Sequence, residues 1–230
     1  MDGCIVVPFT QRFSQLSPAG FIEEYLVEFV RPREIFVGDD FRFGQNRRGT
    51  LDDFQEAGKR YGFHLNVMPS IKGGRGKISS TDIRRYIAEG RLKRAERFLG
   101  RSVSLMGVVQ KGDGRGKKFG FPTANIYPEK LVLPPLGVYA VRVRIGEKIF
   151  YGMANMGRRP SFPAVKPRIY LEVHIFHFRE SIYGEEIIVE FARKIRRERT
   201  FPSQDCLIEQ LKKDEIKAKK ILNIGIDFLE

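Results

Sequence analysis

The sequence predicts two regimes in one chain: an α/β segment with an incomplete parallel sheet, then an all-β antiparallel barrel with a C-terminal helix. Three observations carry this. Residues 1–100 alternate short apolar runs with amphipathic ones. From residue 101 onward, strand candidates follow one another, punctuated by glycine and proline. Only residues 203–222 interrupt that second pattern with a long helical period.

In the first regime CIVVPF (4–9) reads as a short strand. SPAGFIEEYLVEFV (17–30) reads as a helix, with Ser17 as cap, Pro18 in the first turn, and Phe21, Ile22, Tyr25, Leu26 and Phe29 on one apolar face. Pro32 ends it, and EIFVG (34–38) is the next strand. Thr50 opens T-x-x-D, a variant of the capping box, ahead of a helix that stops at Gly62. HLNVMP (64–69) is a third strand; Ser79, Ser80 and Thr81 then lead into IRRYIAEG and RLKRAERFLG, both helical. The order β-α-β-α-β-α implies a parallel sheet covered by helices, with no phosphate-holding strand–turn–helix ahead of Cys4.

The second regime offers VSLMGVVQ, FGFPTANI, VYAVRVRI, KIFYGMANM, IYLEVHIFHF and IIVEFARKI as strands. Strand after strand means a barrel or sandwich. The expected domains are 1–100 and 101–230.

Composition limits the function classes. A hydrophobic fraction of 42% suits a globular chain, and a net charge of +13 favours polyanionic or phosphate-rich partners. Two cysteines, Cys4 and Cys206, make neither a disulfide framework nor a metal cluster. The opening MDGCIVVPF lacks the basic region of a signal peptide, and no apolar run approaches the ~20 residues of a membrane span. The expectation is a soluble, cytoplasmic protein without a membrane partner.

KGDGRGKKFGFPTAN (111–125) carries the chemistry. Gly112, Gly114 and Gly116 let backbone N–H groups turn toward an anion, and Lys111, Arg115, Lys117 and Lys118 attract it. Thr123 and Asn125, spaced i, i+2 after the stiff Pro122, share a face if extended, and their oxygens are hard ligands suited to Mg²⁺. Neither the Walker pattern nor the dinucleotide fingerprint is present. The same composition also suits a plain basic hairpin loop. In YLEVHIFHF (170–178), alternation puts Leu171, Val173 and Ile175 on one face and Tyr170, Glu172, His174, Phe176 and Phe178 on the other. Glu172 among aromatics is a candidate general base, and equally an ordinary surface acid.

With these pieces in place, the chain resembles the bifunctional prokaryotic riboflavin kinase/FMN adenylyltransferase family along nearly its whole length. GDGRGKKFGFPTAN resembles the family's glycine-rich segment ending in P-T-A-N. NMGRRPSF (155–162) resembles its N-x-G-x-R-P-T-F loop with Ser161 for Thr, LEVHIFHF its E-x-H strand, and RRERTF (196–201) its R-x-E-x-x-F segment. The resemblance implies a six-stranded kinase barrel, riboflavin and ATP as substrates, and FMN as product. Gly112, Gly114, Arg115, Gly116, Thr123 and Asn125 would hold ATP phosphates, Thr123 and Asn125 also Mg²⁺, and Glu172 would be the base. Asn155, Arg159 and Phe201 would contact the flavin. His177 stands where the family usually has Asp.

The first half resembles the adenylyltransferase. VGDDFRFGQNRRG (37–49) and ISSTDIR (78–84) match its motifs, which implies a nucleotide and flavin site with Gly38, Asp40, Phe41, Ser79, Ser80, Thr81 and Arg84. The family's first strand and its G-x-F-D-G-x-H-x-G-H segment have no counterpart; the only histidines are His64, His174 and His177. Riboflavin kinase is therefore the expected activity, with the full route to FAD as the alternative. A nucleic-acid-binding protein, suggested by RRYIAEGRLKRAERF and ARKIRRER, is the distant third; no nucleic-acid motif accompanies those runs.

Overall fold

A computed structural model describes residues 3–71, 73, 76–112, 114–128, 132–159 and 168–224. Its contacts divide the chain into two units, Met1–Ile78 and Ser79–Glu230.

In the first unit, Thr10 caps α1 (Gln11–Ser14) and Ser17 caps α2 (Pro18–Gly20), which continues in π-helical winding over Phe21–Val30. The wider winding rotates the apolar stripe along the helix. Ile22 is buried, and Phe21, Leu26 and Val27 pack on the core, but Phe29 is left 69% exposed, against the sequence expectation. β1 (Glu34–Gly38) and β2 (His64–Met68) form a two-stranded parallel sheet, in register from Glu34–His64 to Gly38–Met68. Between them lies α3 (Leu51–Tyr61). The Thr50 amide donates to Asp53 Oδ2 at 2.7 Å and the Asp53 amide to Thr50 Oγ1 at 3.3 Å, so the capping box is complete. Phe43, Phe54 and Phe63 make the core, with Phe43 and Phe54 edge to face at 4.4 Å. The strand expected at 4–9 is not formed: the segment is irregular and Val6 and Phe9 are exposed. Among the described residues no strand pairs with it, and Pro8 removes a donor.

The second unit begins with α4 (Ser80–Ala88) and α5 (Leu92–Leu99). Tyr86, Leu92 and Ala95 share one buried cluster with Leu105, Val143 and Val189, so both helices pack with the strands that follow. This contact division lies upstream of the boundary expected at residue 100. Six strands make an antiparallel sheet in the order β3-β8-β5-β6-β7-β4. They are β3 (Ser104–Val108), β4 (Ala124–Ile126), β5 (Gly137–Ile145), β6 (Lys148–Arg159), β7 (Arg168–Ile175) and β8 (Glu186–Arg196). Beyond β3, the Gln110 amide donates to the Asn125 carbonyl at 2.9 Å, a bridge that brings the edges together into a nearly closed barrel.

Alternation then sorts the side chains. Tyr139, Val141, Leu171 and Val173 fill the barrel, while Ala140, Met153 and Phe176 face outward beneath α7 (Gln204–Leu222), against Ala218 and Leu222. β7 stops at Ile175, and His177 takes a left-handed φ of 56° in the turn that follows. The turn resets the alternation, so Phe178 packs into the main core against Phe150 rather than on the Glu172 face as expected.

Candidate active site

Glu172 is aligned with Asn125 of β4 on one side and with Asn155 of β6 on the other. Asn155 is aligned with Val138 of β5, and Val138 with Arg196 of β8. Directly opposed residues share a face, so Asn125, Glu172, Asn155, Val138 and Arg196 form one row across five strands. Neighbouring strands lie ~4.8 Å apart, which makes the row roughly 19 Å long. Because Leu171 and Val173 point into the barrel, the row is on the outer face, the one α7 covers.

All five line a cavity of about 690 Å³, together with Gly114, Gly116 and Thr123. That volume suits a drug-sized ligand. At the Asn125 end the walls are polar and close. Asn125 is buried, its Nδ2 donates to the Thr123 carbonyl at 3.4 Å, and its Oδ1 has no hydrogen-bond partner among the described residues. A Cβ at Gly112 would collide with the Asn125 amide, and one at Gly116 with the Phe121 carbonyl. Those two positions therefore need glycine for space. Gly114 has a φ of 68° and precedes α6 (Arg115–Lys118), to whose backbone Arg115 belongs.

At the other end Phe201 lines the cavity between two guanidinium groups, Arg196 at 5.5 Å and Arg199 at 4.9 Å from its ring centre. Arg196 Nε donates to Asp214 Oδ2 at 2.7 Å; Gln210 Nε2 donates to Asp214 Oδ1 at 2.6 Å, and Arg199 donates to Gln210 Oε1. Asp214 and Gln210 lie on α7, so that helix fixes both arginines. Arg159 closes β6 opposite Arg168; Pro160 and Ser161 of the segment that resembles the family's N-x-G-x-R-P-T-F loop lie outside the described residues.

In the first unit, Gly38 and Met68 end the two parallel strands side by side, the edge where α/β sheets bind ligands. Lys77 Nζ is 2.6 Å from Asp40 and 3.5 Å from Asp39, and hydrogen bonding to Lys77 holds the Asp40 carboxyl below its usual range. Phe41 stacks on Phe43. Ser79 falls in the second unit, where its hydroxyl caps α4 by accepting from the Asp82 amide at 3.0 Å. Ser80 and Thr81 form the first turn, and Arg84 Nη2 reaches Thr81 Oγ1 at 3.5 Å. The two halves of the expected adenylyltransferase site thus belong to different compact units.

A riboflavin kinase family model matches residues 99–222, and an FAD synthetase model matches residues 1–82. The bifunctional riboflavin kinase/FMN adenylyltransferase of Haemophilus influenzae is 42% identical over 224 residues, covering 97% of this chain and 72% of that protein. The chain belongs to this bifunctional family. The Escherichia coli K12 member is 39% identical over 225 residues, covering 97% of this chain and 71% of its own length. A crystal structure described as a macrolide-efflux protein from Streptococcus pneumoniae superposes with a TM-score of 0.76 at 32% identity, over 92% of this chain and 67% of that one. Among the described residues, no helix is long and apolar enough to cross a membrane.

In this family member, then, the cavity gathers the predicted Gly114, Gly116, Thr123, Asn125, Glu172, Asn155 and Phe201. Sequence reasoning missed Arg158, Arg196, Glu198 and Arg199 on its wall, and Asp214 behind it. For Arg196 there was a signal in the R-x-E-x-x-F run. Against β5, β8 carries two extra residues, Ala192 between the Val141–Phe191 and Ala140–Arg193 pairs and Ile195 between the Tyr139–Lys194 and Val138–Arg196 pairs, so simple alternation fails between them and is restored at Arg196.

Proposed function

We propose that the chain phosphorylates riboflavin at its ribityl 5′-hydroxyl with ATP, giving FMN and ADP. One observation carries the reading: Glu172 stands in register between Asn125 and Asn155, and all three line a single cavity. Phosphoryl transfer needs alignment and charge stabilisation more than covalent help. The glycine segment shapes the phosphate end. Glu172 accepts the hydroxyl proton as the oxygen–phosphorus bond forms and the bond to ADP breaks. Asn155 lies next along the row for the ribityl chain, and Phe201 between its arginines receives the flat ring.

The donor set fits Mg²⁺. Among the described residues no three His, Cys, Asp or Glu side chains gather, so protein ligands would be Thr123 and Asn125, whose buried oxygen otherwise lacks a partner. Bound there with ATP, the ion would neutralise phosphate charge. Riboflavin, FMN and ATP are the partners; nucleic acid and membrane have no part in the reaction. ATP and riboflavin place it in the cytoplasm.

The test is a chromatographic flavin assay with riboflavin, ATP and Mg²⁺, beside Glu172→Gln. FMN from the wild type, lowered about 100-fold or more in the variant, is expected. No FMN from folded protein would overturn the reading. The match of residues 1–82 to FAD synthetase favours a second reading, onward conversion to FAD. None of the three histidines stands in an H-x-G-H, so FMN is the expected end product of these 230 residues.

A further inference from the structure

We propose that His174 is a positioning residue for the phosphate end of the site: its Nδ1–H holds the Pro122 carbonyl and so fixes Thr123, and with it Asn125 opposite Glu172. The inference rests on the kinase reading.

The antiparallel pairing of β4 and β7 ends at Ala124–Val173. Continued one step, it would set Thr123 opposite His174. Pro122 has no N–H, so a backbone ladder cannot run further along this edge. The side chain of His174 takes over instead, with Nδ1 at 2.8 Å from the Pro122 carbonyl. A carbonyl only accepts, so Nδ1 carries the proton, in the neutral ring and the imidazolium alike.

The ring is wedged in place. It meets Phe121 edge-on at 5.1 Å and Phe176 at 5.8 Å, and it lines the same cavity as Glu172 two residues earlier. Gly152 allows the backbone of β6 to approach so closely that a Cβ there would collide with the His174 carbonyl. One short stretch of β7 thus supplies both the carboxylate at the hydroxyl and the clamp on the segment that meets the phosphates. Without the clamp, Thr123 lies on three residues of chain, 121–123, that have no strand pairing of their own.

Three substitutions separate a hydrogen-bonding role from packing. His174→Phe keeps a ring but no donor. His174→Asn keeps an N–H one bond beyond Cγ, where Nδ1 stands, and His174→Gln moves it one atom further out. The measurements are calorimetric binding of MgATP without riboflavin, and KM for each substrate. We expect the MgATP Kd to rise about tenfold in His174→Phe and His174→Gln, the scale of one lost hydrogen bond, and to stay within about threefold in His174→Asn. The riboflavin KM should stay within about twofold in all three. The inference is overturned, with the kinase reading intact, if wild type makes FMN while His174→Phe binds MgATP normally. It is equally overturned if His174→Asn is as impaired as His174→Phe, or if both KM values rise together.

Discussion

Asp214, wholly buried on α7, accepts a hydrogen bond from Arg196 Nε at 2.7 Å, although the two residues belong to a helix and a strand that meet only in the folded barrel. The Arg196 side chain is itself only 16% exposed. Removing the carboxylate would strand a nearly buried guanidinium. Asp214→Ala should lower unfolding free energy by about 3 kcal/mol in urea titration. The paired change Asp214→Leu with Arg196→Met should recover most of that loss. It should still raise the KM for riboflavin, because Arg196 is on the cavity wall beside Phe201. Recovery of both stability and KM would remove Arg196 from flavin binding.

Gly112→Ala tests the phosphate end. The added methyl would sit 2.6 Å from Asn125 Cγ and 2.8 Å from its Oδ1, so the amide must swing away. The ATP KM should rise about tenfold or more with little change in riboflavin binding, read from steady-state kinetics. Normal ATP kinetics would show that the Asn125 orientation is irrelevant.

His177 occupies a left-handed conformation with φ 56°. An L side chain is strained there, and glycine is not. His177→Gly should therefore raise stability by about 1 kcal/mol in thermal or urea unfolding, and His177→Asn by less. Both should leave kcat unchanged. A destabilised His177→Gly would mean that the imidazole makes a compensating contact.

His174 predicts an acid limb in stability. Burial lowers its pKa below the ordinary 6.5, and the hydrogen bond to the Pro122 carbonyl opposes this. The folded state therefore binds a proton less readily than the unfolded chain. Stability from this group is complete above pH 6.5 and is lost as pH falls toward the lowered value. The difference between wild type and His174→Asn in urea unfolding should be flat above about pH 7 and turn against wild type below it. Tyr139 gives the opposite limb. Burial raises it to about 12 and its hydroxyl donates to the Pro135 carbonyl, so its contribution disappears as pH climbs from 10 toward 12. Tyr139→Phe should flatten that alkaline decline.

Much of this protein was determined locally. Thr50, Ser79 and Ser203 cap the helices that follow them, Gly62 ends α3, and the six strand candidates become six strands, because caps, turns and alternation depend on residues a few places apart. Thr123, Asn125 and Glu172 could be named as candidates from local spacing and alternation, but the same patterns also suited a basic hairpin loop and a surface acid. Where local pattern met no partner it misled, as with CIVVPF, which pairs with no strand among the described residues. Winding and turns also defeated it, at Phe29 and Phe178. Tertiary structure alone decided that Asn125, Glu172, Asn155 and Arg196 stand in one row, that Ala192 and Ile195 are extra residues in β8, and that Asp214 reaches Arg196. Those relations are set by hydrogen-bond register between strands far apart in the chain, and by the helix that buries their outer face. No short-range spacing encodes a register that only the closed barrel enforces.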